Sequence, residues 1–248
     1  MQLNNHLIAH RGWQRHYPEN TLIAIEAAIN AGAKHIELDI QLTADLIPML
    51  CHDRNLQRIC GIDKNIDTIP YSETTSLSAH EPDRLGQQFQ GTPLSSLEEF
   101  VTLASNHPEV TFYIEVKRSS LRCFGIETFL QATLPLLTPI KAHSFLISFD
   151  LDVLEQAQRA GWQRVVPVLT DLEQLTSDQL VHINPDIVFC DTELITNPDL
   201  IKAINYPIAL YEVDQYDEAI HWLKQGAKLI ESFAIGELIE QHSARIND

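Results

Sequence analysis

Apolar residues along the chain come in short bursts, and polar side chains stand where each burst stops. Residues 7–9 (Leu-Ile-Ala) end at His10-Arg11-Gly12, and residues 49–51 (Met-Leu-Cys) end at His52-Asp53. In Ile36-Glu37-Leu38-Asp39-Ile40 the period is two, so a strand would carry Glu37 and Asp39 on one face. The β-former-rich run 111–117 alternates likewise and puts Tyr113, Glu115 and Lys117 together. Between such runs the period lengthens to that of helices. Asn20 or Thr21 can cap a helix with Leu22, Ile25, Ala28 and Ile29 on one face, and Gly32 can close it. Ser95 with Glu98, or Ser96 with Glu99, offers a capping box for a helix running to about Ser105. Further helices are predicted over 124–134 (stopped near Pro135), after the Asp150 cap, and over 172–182, 199–204, 219–223 and 235–241. Strands are predicted over 144–149, 165–169, 186–190, 208–213 and 229–232.

One junction occurs three times, as Ala31-Gly32-Ala33-Lys34-His35-Ile36, Ala160-Gly161-Trp162-Gln163-Arg164-Val165 and Gln225-Gly226-Ala227-Lys228-Leu229-Ile230. Each reads as a helix end, a glycine, two linking residues and a strand start. Repeated units of this kind require parallel strands covered by helices. The 48–51 run is either a third barrel strand or the return arm of a hairpin built on the second strand, and the arm is favoured because 43–45 is too short for a crossover helix. Eight βα units then remain, and they predict an α/β fold, a (β/α)₈ barrel forming one domain over 1–248. An open doubly wound sheet is the alternative. Residues 54–94 lose periodicity and read as an inserted subdomain or loop over the barrel mouth.

In a parallel barrel, side chains at the carboxyl ends of strands share one mouth. His10, His52, Glu37, Asp39, Glu115 and Lys117 all fall at such positions. Three acids converging without a cysteine suit an oxygen-seeking cation, Mg²⁺ or Ca²⁺, rather than Zn²⁺. Ion pairing with Arg11 or Lys117 is the purely structural alternative. Two histidines beside such a cation are suited to moving protons around a phosphoester. Asn20 reads most simply as a cap, with a polar role in the site as the secondary reading, and Glu19, Asp53 and Asp150 as orienting or capping groups.

The 248 residues are 44% hydrophobic and 21% charged, an ordinary globular composition. A formal net charge of −17 argues against nucleic-acid or anionic-membrane surfaces. No apolar run nears the roughly 18 residues of a spanning helix, and the first residues show no signal-peptide pattern. Cys51, Cys60, Cys123 and Cys190 form no Cys-x-x-Cys pair. A cytoplasmic enzyme acting on a small molecule is expected, with no nucleic acid, no membrane insertion and no stated oligomer.

The order His10-Arg11-Gly12, Pro18-Glu19-Asn20-Thr21, Glu37-Leu38-Asp39, Thr43-Ala44-Asp45, His52-Asp53 resembles the glycerophosphodiester phosphodiesterase family. The similarity continues through 93–99, Glu115-Val116-Lys117 and Ser148-Phe149-Asp150. The resemblance implies a (β/α)₈ barrel with a small insertion and one cation on Glu37, Asp39 and Glu115. It implies His10 and His52 as the acid/base pair, Arg11 and Lys117 on phosphate oxygens, and Phe149 and Tyr211 in the substrate pocket. The substrates implied are glycerophosphodiesters such as glycerophosphocholine or glycerophosphoethanolamine. Relatives acting on lysophospholipid or inositol diesters, and a catalytically silent metabolite-binding barrel, are the alternatives. The chain departs from the family at Tyr211-Glu212-Val213-Asp214, where a Trp-Thr-Val-Asn-like strand is usual. It departs again at Ser232-Phe233, where Thr-Asp and then Pro are usual. Counting from the glycine, Glu231 takes the slot of Glu37 and should point inward.

Overall fold

Alternation along each strand sorts the side chains of this structure, a computed structural model describing residues 2–247, into two apolar layers. Strands β1 (Leu7–His10), β2 (His35–Leu42), β4 (Thr111–Val116), β5 (Ser144–Ser148), β6 (Val165–Pro167), β7 (Val188–Asp191), β8 (Ile208–Tyr211) and β9 (Leu229–Ser232) pair in parallel as neighbours in the order β6-β5-β4-β2-β1-β9-β8-β7. The seam between β6 and β7 is held by a parallel bridge of Val168 with Phe189 and by Leu169 N–H donating to the Phe189 carbonyl at 2.8 Å. The result is an eight-stranded barrel. The hairpin arm β3 (Pro48–Leu50) pairs antiparallel with β2 and stays outside the ring.

Ile8, Tyr113, Phe145, Val166 and Phe189 belong to the cluster that fills the barrel. Leu7, Ala9, Ile36, Leu38 and Ile40 belong to the larger core between strands and helices. With the odd and even positions of β2 so divided, Glu37 and Asp39 must point inward. Register then sets their neighbours. His10 stands opposite Glu37, Asp39 opposite Glu115, and Ile8 opposite Glu231.

Local signals resolve several expectations. Thr21, not Asn20, caps the helix Leu22–Asn30, its hydroxyl accepting from Ala24 N–H. Ser96 and Glu99 make the capping box of the helix Leu97–Ala104. Asp150 caps the helix Leu151–Arg159. The helix predicted over 124–134 is found as Ile126–Leu137, and a helix not predicted, Arg118–Phe124, precedes it across Gly125 with φ +81°. Pro135 does not stop the longer helix, because Phe129, Leu130, Thr133 and Leu137 are buried on one face and hold its last turn. The predicted 172–182 helix is a 3₁₀ turn, Leu172–Thr176, followed by the Ser177-capped helix Asp178–Ile183. β8 ends at Tyr211 rather than at 213, and the final helix spans Ile235–Asn247.

Residues 54–94 contain four-residue helices at Gln57–Cys60, Tyr71–Thr74 and Pro82–Leu85. Leu56, Ile59, Ile66, Ile69 and Ala79 give this segment its own small core against Met49 and Cys51. It is fastened to the loop after β1. Arg84 donates to the carbonyls of Gln14 (2.6 Å) and Tyr17 (2.8 Å), and Glu81 accepts from Glu19 N–H at 2.7 Å.

That loop is tightly wound. Arg11 has φ +56° and Asn20 φ +55°, and Asn20 N–H donates to the Arg11 carbonyl at 3.1 Å. Gly12 follows with φ +80°, and a Cβ there would lie 2.7 Å from the Ala24 carbonyl carbon. Gly12→Ala is therefore expected to cost about 2–3 kcal/mol through both strain and overlap. Denaturant melts would show it, and an unshifted midpoint would mean the loop relaxes freely.

Candidate active site

The site forms where β1, β2 and β4 end together. Asp39 lies deepest and is fully buried. Asn20 clasps it at two points, its amide donating to Oδ2 at 2.8 Å and its carbonyl oxygen accepting Asp39 N–H at 3.0 Å. Arg11 Nε is 3.2 Å from the same Oδ2, and Lys117 Nζ is 3.2 Å from Oδ1. Lys117 also reaches Glu115 Oε1 at 2.9 Å. Arg11 is held from behind by Glu19, with Nη1 3.2 Å from each oxygen, and its backbone N–H donates to Glu37 at 3.3 Å.

The two histidines occupy different settings. His10 is 7% exposed, stacked on Phe233 with ring centres 4.5 Å apart, and its Nε2 is 3.6 Å from Glu37. His52 is partly exposed, with Nδ1 2.7 Å from Asp53 Oδ1; Arg58 Nε donates to the other Asp53 oxygen at 2.7 Å. A carboxylate at Nδ1 fixes the tautomer and leaves Nε2 for proton transfer. Gln41 fixes the backbone here, donating to the carbonyls of Cys51 (3.2 Å) and His52 (2.9 Å).

Burial and crowding set the charges. Burial first, then the charges of Asp39, Glu231 and Glu115, push Glu37 well above the usual carboxylate range. Burial likewise raises Glu231 and Glu115. Burial also opposes ionisation of Asp39, but Lys117 and Arg11 outweigh it and hold that carboxyl low. Burial, aided by Arg11, keeps His10 well below its ordinary 6.5 and hence neutral. Glu37, Asp39 and Glu115 each offer an oxygen within 4.8 Å of the others, and Glu37 Oε1 is buried with no hydrogen-bond partner. Such an all-oxygen set with excess negative charge fits a divalent cation.

A carboxyl raised by folding binds its proton more tightly in the native state, so its contribution to stability falls as pH climbs past the unfolded value. Glu231→Gln removes one such group. In EDTA this variant is expected to melt above the wild type, with the gap widening between about pH 5 and pH 8. A gap that narrows over that range would show Glu231 to be ionised at little cost.

A cavity of about 140 Å³ brings together most of the residues singled out from sequence: His10, Arg11, Glu37, His52, Glu115, Lys117, Phe149 and Tyr211. Asp39 lies just behind them, against Lys117 and Arg11. Glu231 lines the cavity, pointing inward as the register implied. Three participants were not placed in the site from sequence: Phe189, Glu212 and Phe233 complete the walls around His10 and the pocket. Asn20, read most simply as a cap and only secondarily as a site residue, is a clasp on Asp39. A carboxamide one residue before a capping threonine carries the same signature for either role, so the clasp had no separate signal. Asp53 and Asp150 do orient and cap, as expected.

Comparison with known proteins places this site in context. The chain is 35% identical over 121 residues to a glycerophosphodiester phosphodiesterase of Bacillus altitudinis, covering 49% of either protein. It is 36% identical over 110 residues to glycerophosphodiester phosphodiesterase 1 of Homo sapiens, covering 44% of this chain and 33% of that one. The matched stretch thus spans half or less of those relatives' length. Among solved structures, a phosphodiesterase of Oleispira antarctica in complex with the product sn-glycerol-3-phosphate superposes with a TM-score of 0.83 over 98% of this chain and 97% of that one, at 23% identity. A glycerophosphodiester phosphodiesterase structure from Agrobacterium tumefaciens gives 0.77 over 95% of this chain and 99% of that one, at 20% identity. These likenesses agree with the barrel. A model of the glycerophosphoryl diester phosphodiesterase family matches residues 10–228, and the chain belongs to that family.

Proposed function

We propose that this chain hydrolyses glycerophosphodiesters, such as glycerophosphocholine or glycerophosphoethanolamine, to glycerol 3-phosphate and an alcohol in a divalent-cation-dependent reaction. The supporting observation is the convergence of two histidines, three carboxylates and two cationic side chains on one barrel mouth. Glu37, Asp39 and Glu115 would hold Mg²⁺ or Ca²⁺, which when bound withdraws charge from a phosphoryl oxygen. Arg11 and Lys117, each fixed by carboxylates, add preorganised positive charge for the phosphate. His10, buried and neutral, takes the proton of the attacking hydroxyl, for which the substrate's own glycerol 2-hydroxyl is suited. His52, oriented by Asp53, gives a proton from Nε2 to the departing alcohol. Water then opens the cyclic phosphate with the two roles exchanged. Phe149 and Tyr211 offer the carbon skeleton an apolar wall.

The 54–94 segment serves this site as an inserted element of a single barrel domain, since its Arg58 secures the Asp53 that orients His52. No helix of the described residues is long and apolar enough to cross a membrane. Four free cysteines, three of them buried, suit a reducing compartment such as the cytoplasm.

The test is release of glycerol 3-phosphate from both substrates in Mg²⁺, in Ca²⁺ and after EDTA. Cation-dependent release is expected. Turnover undiminished by EDTA would overturn the cation's role, and a cyclic phosphate from lysophospholipid or inositol diesters alone would reassign the substrate.

A further inference from the structure

Glu231 is an acid to which the proposed reaction gives no work. It lies near the end of β9, 3% exposed, and its Oε1 is buried with no hydrogen-bond partner. Its Oε2 is 4.0 Å from Nδ1 of His10, which is also buried and makes no hydrogen bond. On the other side of the same ring, Nε2 stands 3.6 Å from Glu37 Oε2, and Glu37 Oε1 is a third unpartnered atom. A His10 ring nitrogen, a Glu37 oxygen and a Glu231 oxygen all fall within 4.8 Å of one another. Glu212 adds a half-exposed oxygen 3.5 Å from Nδ1.

The cationic side chains nearby are engaged elsewhere. Arg11 faces Glu19 and Asp39, and Lys117 faces Asp39 and Glu115. A proton on Glu231 would remove its charge but would leave the imidazole and Glu37 unsatisfied. Bonds of about 2.0–2.6 Å to a divalent ion would satisfy all three groups at once.

We propose that His10, Glu37 and Glu231 form a second divalent-cation site, joined to the Glu37–Asp39–Glu115 site by Glu37 as a bridging carboxylate. The inference rests on reading those three carboxylates as the first site. The two donor sets differ in kind. Oxygen alone suits Mg²⁺ or Ca²⁺, whereas an imidazole in the set suits Mn²⁺ or Zn²⁺ and is foreign to Ca²⁺. Mn²⁺ therefore fills both sites and Ca²⁺ only the first. An ion in the second site claims a His10 nitrogen, so a doubly loaded chain has lost its base.

The experiment counts metal rather than turnover. Protein stripped with EDTA is titrated with Mn²⁺ and separately with Ca²⁺, bound ion is measured by elemental analysis after desalting, and the Mn²⁺ form is examined by electron paramagnetic resonance. The wild type is expected to hold two Mn²⁺ with exchange-coupled spectra, and one Ca²⁺. Glu231→Gln should hold one uncoupled Mn²⁺. A single Mn²⁺ in the wild type, kept in Glu231→Gln and lost in Glu115→Gln, would overturn the second site and leave the first standing. A single Mn²⁺ lost in Glu231→Gln and kept in Glu115→Gln would support the second site and overturn the first. Two Mn²⁺ with uncoupled spectra would overturn the bridge, and none bound would overturn both sites. The wild-type count stands whether or not either variant folds.

Discussion

Replacing His10 by alanine is expected to lower kcat by about 10²–10⁴-fold, the usual contribution of a positioned general base, while the fold survives. The ring makes no hydrogen bond through Nδ1 and meets Glu37 only at 3.6 Å, so its removal orphans no tightly bound partner. What stability it gives comes from burial of the ring and from stacking on Phe233, the stacking itself worth about 0.5–1.5 kcal/mol. A large kinetic effect with a small thermal one separates chemistry from structure. The pH profile sharpens the test. A base must be neutral to act, and burial with the Arg11 charge holds this imidazole below 6.5. With cation saturating, kcat/KM should climb with pH along a limb lying below 6.5, and that limb should vanish in His10→Ala. A variant retaining more than about a tenth of wild-type kcat would remove His10 from the mechanism.

The elements most legible in the sequence were those where one residue pattern admits one structure. The period of two put Glu37 and Asp39 together on one face, and the structure, with Ile36, Leu38 and Ile40 in the shell, makes that face the barrel interior. Residues 43–45 were too short for a crossover, which made β3 antiparallel. Elsewhere, different structures share a signature. Asn before Thr reads as a cap in either position, so the Asn20 clasp on Asp39 stayed hidden. Proline reads as a stop, yet buried Leu137 holds its helix beyond Pro135. The four-residue helices of 54–94 are shorter than any apolar period can announce. The Glu19–Arg58 pair spans 39 positions, a separation that only the fold closes. Glu231 was legible as an inward acid by register, but its nearness to His10 was not, because it depends on how β1 and β9 align along each other, with Ile8 opposite Glu231.

Glu19→Ala is expected to be among the most destabilising single changes in the chain, at about 3–5 kcal/mol, as for a buried ion pair that loses one partner. Glu19 is 1% exposed and receives five hydrogen bonds: two contacts at 3.2 Å from Arg11 Nη1, 2.8 and 2.7 Å from Arg58, and 2.9 Å from Gln14. Arg58 is half-exposed and can turn to water, so its share is small. Arg11 is 9% exposed and keeps only Asp39 as a side-chain partner. The loss corresponds to a Tm lower by roughly 6–20 °C for a chain of this size. Acid should narrow the difference. Burial opposes the Glu19 charge, but the Arg58 hydrogen bond and the Arg11 charge outweigh it and hold the carboxyl below its ordinary 4.5. A lowered carboxyl stabilises fully above the unfolded value and progressively less as pH falls through the folded one, so the gap between wild type and variant should start to shrink as pH falls below about 4.5. Glu19→Gln, which keeps the shape and some acceptors, should fall between them. Melts of Glu19→Ala within a couple of degrees of wild type would mean that Arg11 is satisfied by water. The positive charge proposed for the phosphate would then be far less fixed than the geometry makes it.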